Sequence, residues 1–148
     1  MTDRTVHVAH SPDSDDAFMF YALAEGKVDT EGLTYVHELQ DIESLNQRAL
    51  RGELEVTAVS IHAYAFLTDK YALLPSGASM GDQYGPRLVA KTPVSRAEVK
   101  GKRIAIPGLK TSAYLALRLY EPDFVAVPTH FDAIEQAVLD GTVDLGLI

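Results

Sequence analysis

Apolar and polar side chains alternate from Thr5 to Ala9 around Val6 and Val8, the two-residue period of a strand with one buried face. Ser11, Pro12, Asp13, Ser14, Asp15 and Asp16 follow, small or acidic residues that suit the free amides and positive end of a helix over residues 17–24. Strand, loop and helix are expected in that order. Gly26 can end the helix, Leu33–Leu39 reads as a second strand, and Asp41 opens a helix in which Ile42, Leu45, Ala49 and Leu50 recur at helical spacing. Gly52 closes it before a strand over residues 54–60. A short helix around residues 63–68 and an apolar run at 71–74 lead to segment 76–86, where Gly77, Gly81, Gly85 and Pro86 mark the best domain boundary in the chain.

Beyond it, residues 87–90 and Arg103–Ile106 read as strands, 111–120 as a helix, 124–127 as a strand, 131–139 as a helix and 143–148 as a strand. Such alternation predicts an α/β fold with mostly parallel sheets. Residues 42–56 can be laid on residues 131–145, each stretch reading helix, glycine, strand, and in that alignment Val59 falls on Ile148. The chain ends on apolar Leu145-Gly146-Leu147-Ile148, whereas terminal residues are usually exposed and polar, so a partial chain is expected.

Composition narrows the function classes. The 148 residues are 47% hydrophobic and 23% charged, an ordinary folded composition. Thirteen Lys and Arg against 21 Asp and Glu give a net charge of -8, which works against nucleic acid as a partner; the cluster from Lys100 to Arg103 is too small to offset it. With no cysteine there is no disulfide, thiolate nucleophile or thiolate metal site. The opening residues lack an apolar leader, and the weakly polar stretch 56–67 is too short to span a membrane, so a cytoplasmic protein with no membrane partner is expected.

Three segments carry candidate chemistry, each following a strand, where ligands bind in open α/β sheets. Residues 10–16 hold Asp13, Asp15 and Asp16, but the glycine and twelfth-position Glu of a calcium loop are missing, and helix capping is the competing role. No metal is expected. Ser60 ends the third predicted strand, yet no G-x-S-x-G elbow surrounds it and His62 is only two residues away, so a Ser-His-Asp triad is not supported. Pro107-Gly108-Leu109-Lys110-Thr111-Ser112 opens a helix with two hydroxyls and a nearby cation, which suits a carboxylate, though it is not a P-loop and simple capping competes. Of the histidines, His7, His37 and His130 read as structural or solvated, while His10 and His62 lie near the proposed crevice as candidate bases.

Taken together, His10-Ser11-Pro12-Asp13-Ser14-Asp15-Asp16-Ala17-Phe18, Asp41-Ile42-Glu43 with Leu45-Asn46, Thr57-Ala58-Val59-Ser60, Tyr84-Gly85-Pro86 and Pro107-Gly108 with Thr111-Ser112-Ala113-Tyr114 resemble the 1,4-dihydroxy-6-naphthoate synthases of the futalosine route to menaquinone. The resemblance runs in order over essentially the whole chain. It implies a type II periplasmic-binding-protein-like fold, with α/β lobes at residues 1–86 and 87–148, the second incomplete, and substrate in the cleft between them. It also implies a lyase that opens cyclic dehypoxanthinyl futalosine and cleaves a carbon-carbon bond with no cofactor or metal.

By position, Ala58, Val59 and Ser60 would bind this small carboxylate from the first lobe, and Thr111 and Ser112 from the second. Asp16 and Asn46 would orient its hydroxyls. The family's Pro-Asn-Asp appears as Ser14-Asp15-Asp16, an acid replacing an amide at Asp15. The family continues past the equivalent of Ile148 into an Ile-His-Glu stretch whose histidine is taken as the base, so no catalytic residue is assigned here and residues 1–148 alone are expected to be inactive. The alternatives are the related chorismate dehydratase and a non-catalytic solute receptor. A missing export signal weighs against the receptor, and the first-loop and Thr111-Ser112 patterns favour the synthase.

Overall fold

In the computed structural model, which describes residues 4–148, the alternation around Val6 and Val8 becomes strand β1, Arg4–His10. It is the middle strand of a three-stranded sheet, with β2 (Leu33–Leu39) on one side and β3 (Val56–Thr57) on the other, both parallel to it. Helix α1 (Ser14–Ala24) follows β1. It starts at Asp13, whose carbonyl accepts from Ala17 N–H at 2.9 Å, but it has no apolar stripe: Asp16 is its one buried residue, and Phe18 is 87% exposed.

Helix α2 (Ile42–Arg51) is the better-defined one. The Asp41 side chain accepts from Ser44 N–H at 3.0 Å, and Gly52 ends the helix at φ 73°, a left-handed conformation that glycine adopts without strain. Leu45 packs with Ala9 and Leu54, and Ala49 with Ala63 and Leu67. Each fully buried aliphatic side chain contributes about 1.5–3 kcal/mol.

Two expected elements differ in extent. The strand read over 54–60 is only Val56–Thr57, because the Tyr71 hydroxyl donates to Leu54 O at 2.7 Å and takes Leu54 N–H at 3.4 Å, occupying the groups a neighbouring strand would use. The apolar run at 71–74 takes no regular structure, and Tyr71 serves through its side chain. The helix read at 63–68 begins earlier, as α3 (Ile61–Tyr64) starting at Ser60, and continues as tight turns in which Leu67 N–H reaches Tyr64 O at 2.9 Å.

The chain divides between Met80 and Gly81 into two compact units. In the second, β4 (Leu88–Val89) is followed by α4 (Arg96–Val99), β5 (Arg103–Ile106), α5 (Ser112–Tyr120), β6 (Val125–Pro128), a 3₁₀ turn (Phe131–Ala133) leading into α6 (Ile134–Leu139), and β7 (Leu145–Leu147). The strand order is β4-β7-β5-β6; β5 runs parallel to β6 and β7, while β4 is antiparallel to β7. Helix α4 was not anticipated, although Ser95 and Glu98 carry a capping signature: the Glu98 carboxylate accepts from Ser95 N–H at 2.8 Å.

Alternation along β5 sends Ile104 and Ile106 to a core with Leu117, Phe124, Leu145 and Leu147, and Ala105 to one with Ile134, Val138 and Val143. Gly146 sits where a Cβ would come within 2.6 Å of Ile134 Cγ2 and 3.0 Å of Val138 Cγ2, so close packing of α6 on β7 requires glycine there.

Candidate functional site

Because β1, β2 and β3 run parallel, the loops after His10, Leu39 and Thr57 leave the first sheet at one edge. Gln40 N–H donates to His10 O at 3.1 Å and Ala58 N–H to Ala9 O at 2.8 Å, stitching those loops to β1. The first loop is closed by a side chain. Asp16 Oδ2 accepts the Ser11 N–H at 2.7 Å, and Ser11 Oγ accepts the Asp13 N–H at 3.0 Å. Burial raises the Asp16 carboxyl above its ordinary pKa; the Ser11 N–H opposes that rise, and the neighbouring Asp15 charge adds to it. Asp15 is exposed and accepts from the Ser79 hydroxyl, which lowers its pKa. Asp15 therefore has a partner that donates to it.

At the loop after β3, Ser60 is held by Asn46. Asn46 Oδ1 accepts the Ser60 N–H at 2.9 Å, and Asn46 Nδ2 donates to Ser60 Oγ at 3.1 Å and to Glu43 Oε2 at 3.5 Å. The side chain of Asn46 is fully buried on α2, so its amide needs these partners. Since Ser60 Oγ receives a hydrogen from Asn46, its own proton is directed to a different acceptor. Ala58 and Val59 are half-buried and pack on the two cores beneath α2.

In the second unit, Thr111 caps α5 where the loop from β5 enters the helix. Its hydroxyl donates to Gly108 O at 3.0 Å and accepts Tyr114 N–H at 3.2 Å. Thr111 is buried, whereas Ser112, the first residue of the nine-residue helix, is exposed at the positive helix end; Lys110 is half-buried beside them. A cavity of about 830 Å³ in this unit touches the other end of α5, at Leu117 and Tyr120, with Leu88, Val94, Arg96 and Val99 around it, and does not include Thr111 or Ser112.

Among the expected bases, His10 is buried: its ring stacks on Phe20 at 4.3 Å between centroids, Nδ1 lies 3.0 Å from Ser11 O, and Nε2 lies 3.0 Å from His37 Nδ1. His62 is half-buried in α3 and sits edge-on to Phe66 at 5.9 Å. His7 pairs with Glu38 at 3.3 Å and His130 with Asp132 at 3.6 Å. Two relationships were not legible in the sequence: the Asn46–Ser60 clasp and the His10–His37 contact. The first had a signal in Asn46, a polar residue within the apolar stripe of α2. The second depends on the pairing of β1 with β2. Among the described residues, no group of three or more His, Asp or Glu is placed to hold a metal ion, and no helix is long and apolar enough to cross a membrane.

A protein-family model described as menaquinone biosynthesis matches residues 6–148. The curated 1,4-dihydroxy-6-naphtoate synthase of Thermus thermophilus is 41% identical, over 97% of this chain and 52% of its own length. That of Streptomyces coelicolor is 36% identical, over 100% of this chain and 54% of its own. The chain thus spans about half the length of the curated relatives it matches. A crystal structure of an Archaeoglobus fulgidus protein is 53% identical with a TM-score of 0.92, covering 100% of this chain and 55% of that one. The alkanesulfonate-binding protein of Xanthomonas axonopodis pv. citri superposes with a TM-score of 0.70 at 14% identity, covering 97% and 54% of the two chains. The last likeness speaks for the fold alone, which is α/β of the type II periplasmic-binding-protein-like class.

Proposed function

The chain belongs to the menaquinone-biosynthesis family, and on that premise we propose that it carries substrate-binding parts of a 1,4-dihydroxy-6-naphthoate synthase acting on cyclic dehypoxanthinyl futalosine. The observation that carries this reading is Ser60: Asn46 fixes both its backbone and its hydroxyl, leaving one donated proton for a substrate oxygen at the carboxyl edge of the first sheet. In the second unit, the exposed Ser112 at the start of α5, beside Lys110, suits a carboxylate, and Thr111 acts by holding that helix start in shape. Asn46 positions Ser60, and Asp16 orders the first loop while offering a second carboxylate oxygen for a substrate hydroxyl.

The reaction is a lyase step. A base takes a proton, the spiro ring opens, and a retro-aldol-like carbon-carbon cleavage releases an aromatic product. Hydroxyl and amide donors held in place stabilise the negative charge that develops on oxygen. The resemblance assigns the base to a histidine beyond the residues described, so the activity belongs to a chain of the relatives' length, acting as a cytoplasmic enzyme on a small carboxylate. The test is naphthoate formation by such a chain with and without Ser60→Ala or Thr111→Val. Loss in both supports the assignment, and unchanged turnover in both overturns it. A protein that instead removes water from chorismate would be the related dehydratase.

A further inference from the structure

His10 is buried and His37 half-buried, their rings meet, and the geometry settles which nitrogens carry hydrogen. His10 Nδ1 is 3.0 Å from Ser11 O, and a carbonyl only accepts, so Nδ1 is the protonated nitrogen. In the neutral ring Nε2 is then an acceptor, and His37 Nδ1, 3.0 Å away, must donate to it. His37 Nε2 is left bare, and it is buried without a hydrogen-bond partner. Two hydrogens satisfy every contact in this chain of rings. A third has no good position: on His37 Nε2 it is a buried donor with no acceptor, and on His10 Nε2 it forces His37 to present that same donor. Two facing N–H groups at 3.0 Å cannot coexist.

The same chain ends on the candidate site. His10 Nδ1–H holds the Ser11 carbonyl and the Asp16 carboxylate holds the Ser11 N–H, so the residue that opens the first loop is gripped from both directions. The groups facing the pair are Phe20, which stacks on His10 and lies edge-on to His37 at 6.0 Å, and Asp16, both on α1. Asp13 and Asp15 bear on Asp16 from the helix start. Glu38, next along β2, instead pairs with His7 and Arg48.

We propose that His10 and His37 form a positioning pair, neutral and locked in the Nδ1–H tautomers, that holds the Ser11 loop and Asp16 in place and releases them when it takes a proton. Its bearing on activity rests on the function proposed above; the pair itself is read in the free protein. Burial and the nearby His10 push the His37 pKa down, in keeping with a ring that resists protonation.

The test is nitrogen-15 NMR of the imidazole rings and the Ser11 amide across pH. Above the ordinary histidine pKa of about 6.5, both rings should show the Nδ1–H pattern, and the protection of the Ser11 amide, taken relative to its intrinsic exchange rate at each pH, should fall about tenfold only as His37 takes its proton below that pH. An Nε2–H tautomer in either ring overturns the proposal, as does Ser11 protection that ignores the His37 titration. In His10→Asn the amide can replace Nδ1–H, so Ser11 protection should survive and lose its pH step; in His37→Phe the step should vanish as well. A step that persists in both variants also overturns the proposal. These readouts are independent of turnover: a protein that makes no naphthoate but shows the locked tautomers would refute the proposed function and keep the pair.

Discussion

Asn46 and Ser60, fourteen positions apart, are joined by two hydrogen bonds, Ser60 N–H to Asn46 Oδ1 at 2.9 Å and Asn46 Nδ2 to Ser60 Oγ at 3.1 Å. The pair ties the middle of α2 to the loop after β3, at the start of α3. In Asn46→Ala both bonds are lost and a buried cavity remains, so the expected cost is about 1–3 kcal/mol in urea unfolding. Asn46→Asp is more telling. A carboxylate accepts from Ser60 N–H but cannot donate, so the Ser60 hydroxyl must turn its proton inward. If that proton serves the substrate, kcat/KM should fall in Asn46→Asp by about as much as in Ser60→Ala, while Ser60→Ala itself remains folded.

Asp16 keeps a raised pKa because it is buried, and that fixes the sign of its contribution. A carboxyl whose folded pKa exceeds its unfolded value stabilises the fold below the unfolded pKa and loses that contribution as pH rises through the folded one. Asp16→Asn can still accept the Ser11 N–H and carries no charge to bury. It should therefore be more stable than the parent at neutral pH and equally stable in acid. Denaturation at the two pH values checks this, and greater stability joined to lower turnover would mark Asp16 as retained for its chemistry.

His37 has the opposite sign. With its folded pKa lowered, its contribution is fully present above the unfolded value of about 6.5 and is lost as pH falls through the folded pKa. His37→Phe should flatten the decline in stability in that mildly acidic window. An unchanged decline in unfolding curves would mean that the proton is taken elsewhere.

Thr111 makes two bonds with one hydroxyl, and Thr111→Val removes both at the cost of about 1–2 kcal/mol. Thr111→Ser should restore most of that. Ser112→Ala leaves the cap intact, so it should raise KM for the substrate with little change in melting temperature. Thermal unfolding beside steady-state kinetics separates the two roles, and equal effects on both readouts would refute the division.

Gly146→Ala would place a methyl 2.6 Å from Ile134 Cγ2, so α6 must move off β7. The expected destabilisation is about 1–3 kcal/mol, measured as a lower urea midpoint with an unchanged slope.

Much of the framework could be read directly. Leu33–Leu39 and Arg103–Ile106 are strands over the very residues their apolar patterns mark, and Asp41 and Gly52 bracket α2 by cap chemistry. The shortened third strand has a clear cause: a side chain takes bonds that periodicity assigns to the backbone. Tyr71 does this for Leu54, and no local pattern reveals a partner 17 positions away. Helix α4 is too short for periodicity, although Ser95 and Glu98 announce it. At the site, Ser60, Asp16 and Thr111 are each recognisable as polar residues beside strand or helix ends, and Asn46 as a polar residue within the apolar stripe of α2. Their division into groups that meet a ligand and groups that hold others is tertiary. His37 illustrates the point: it reads as one histidine on a strand, and only the register Val8 to His37 brings it to His10.

Helix α1 has its start tied to the loop after β1 through Asp16 and meets the sheet through Phe20, while Asp16 is its one buried residue and Phe18 is almost fully uncovered. Such a helix is among the first parts of a fold to open, since little apolar contact opposes its loss. A ligand gripping the Ser11 loop would have to bear the entropy of stilling α1, and its measured affinity would understate the strength of its contacts by that amount. Substitutions that quiet α1 without touching the loop should therefore tighten binding from a distance.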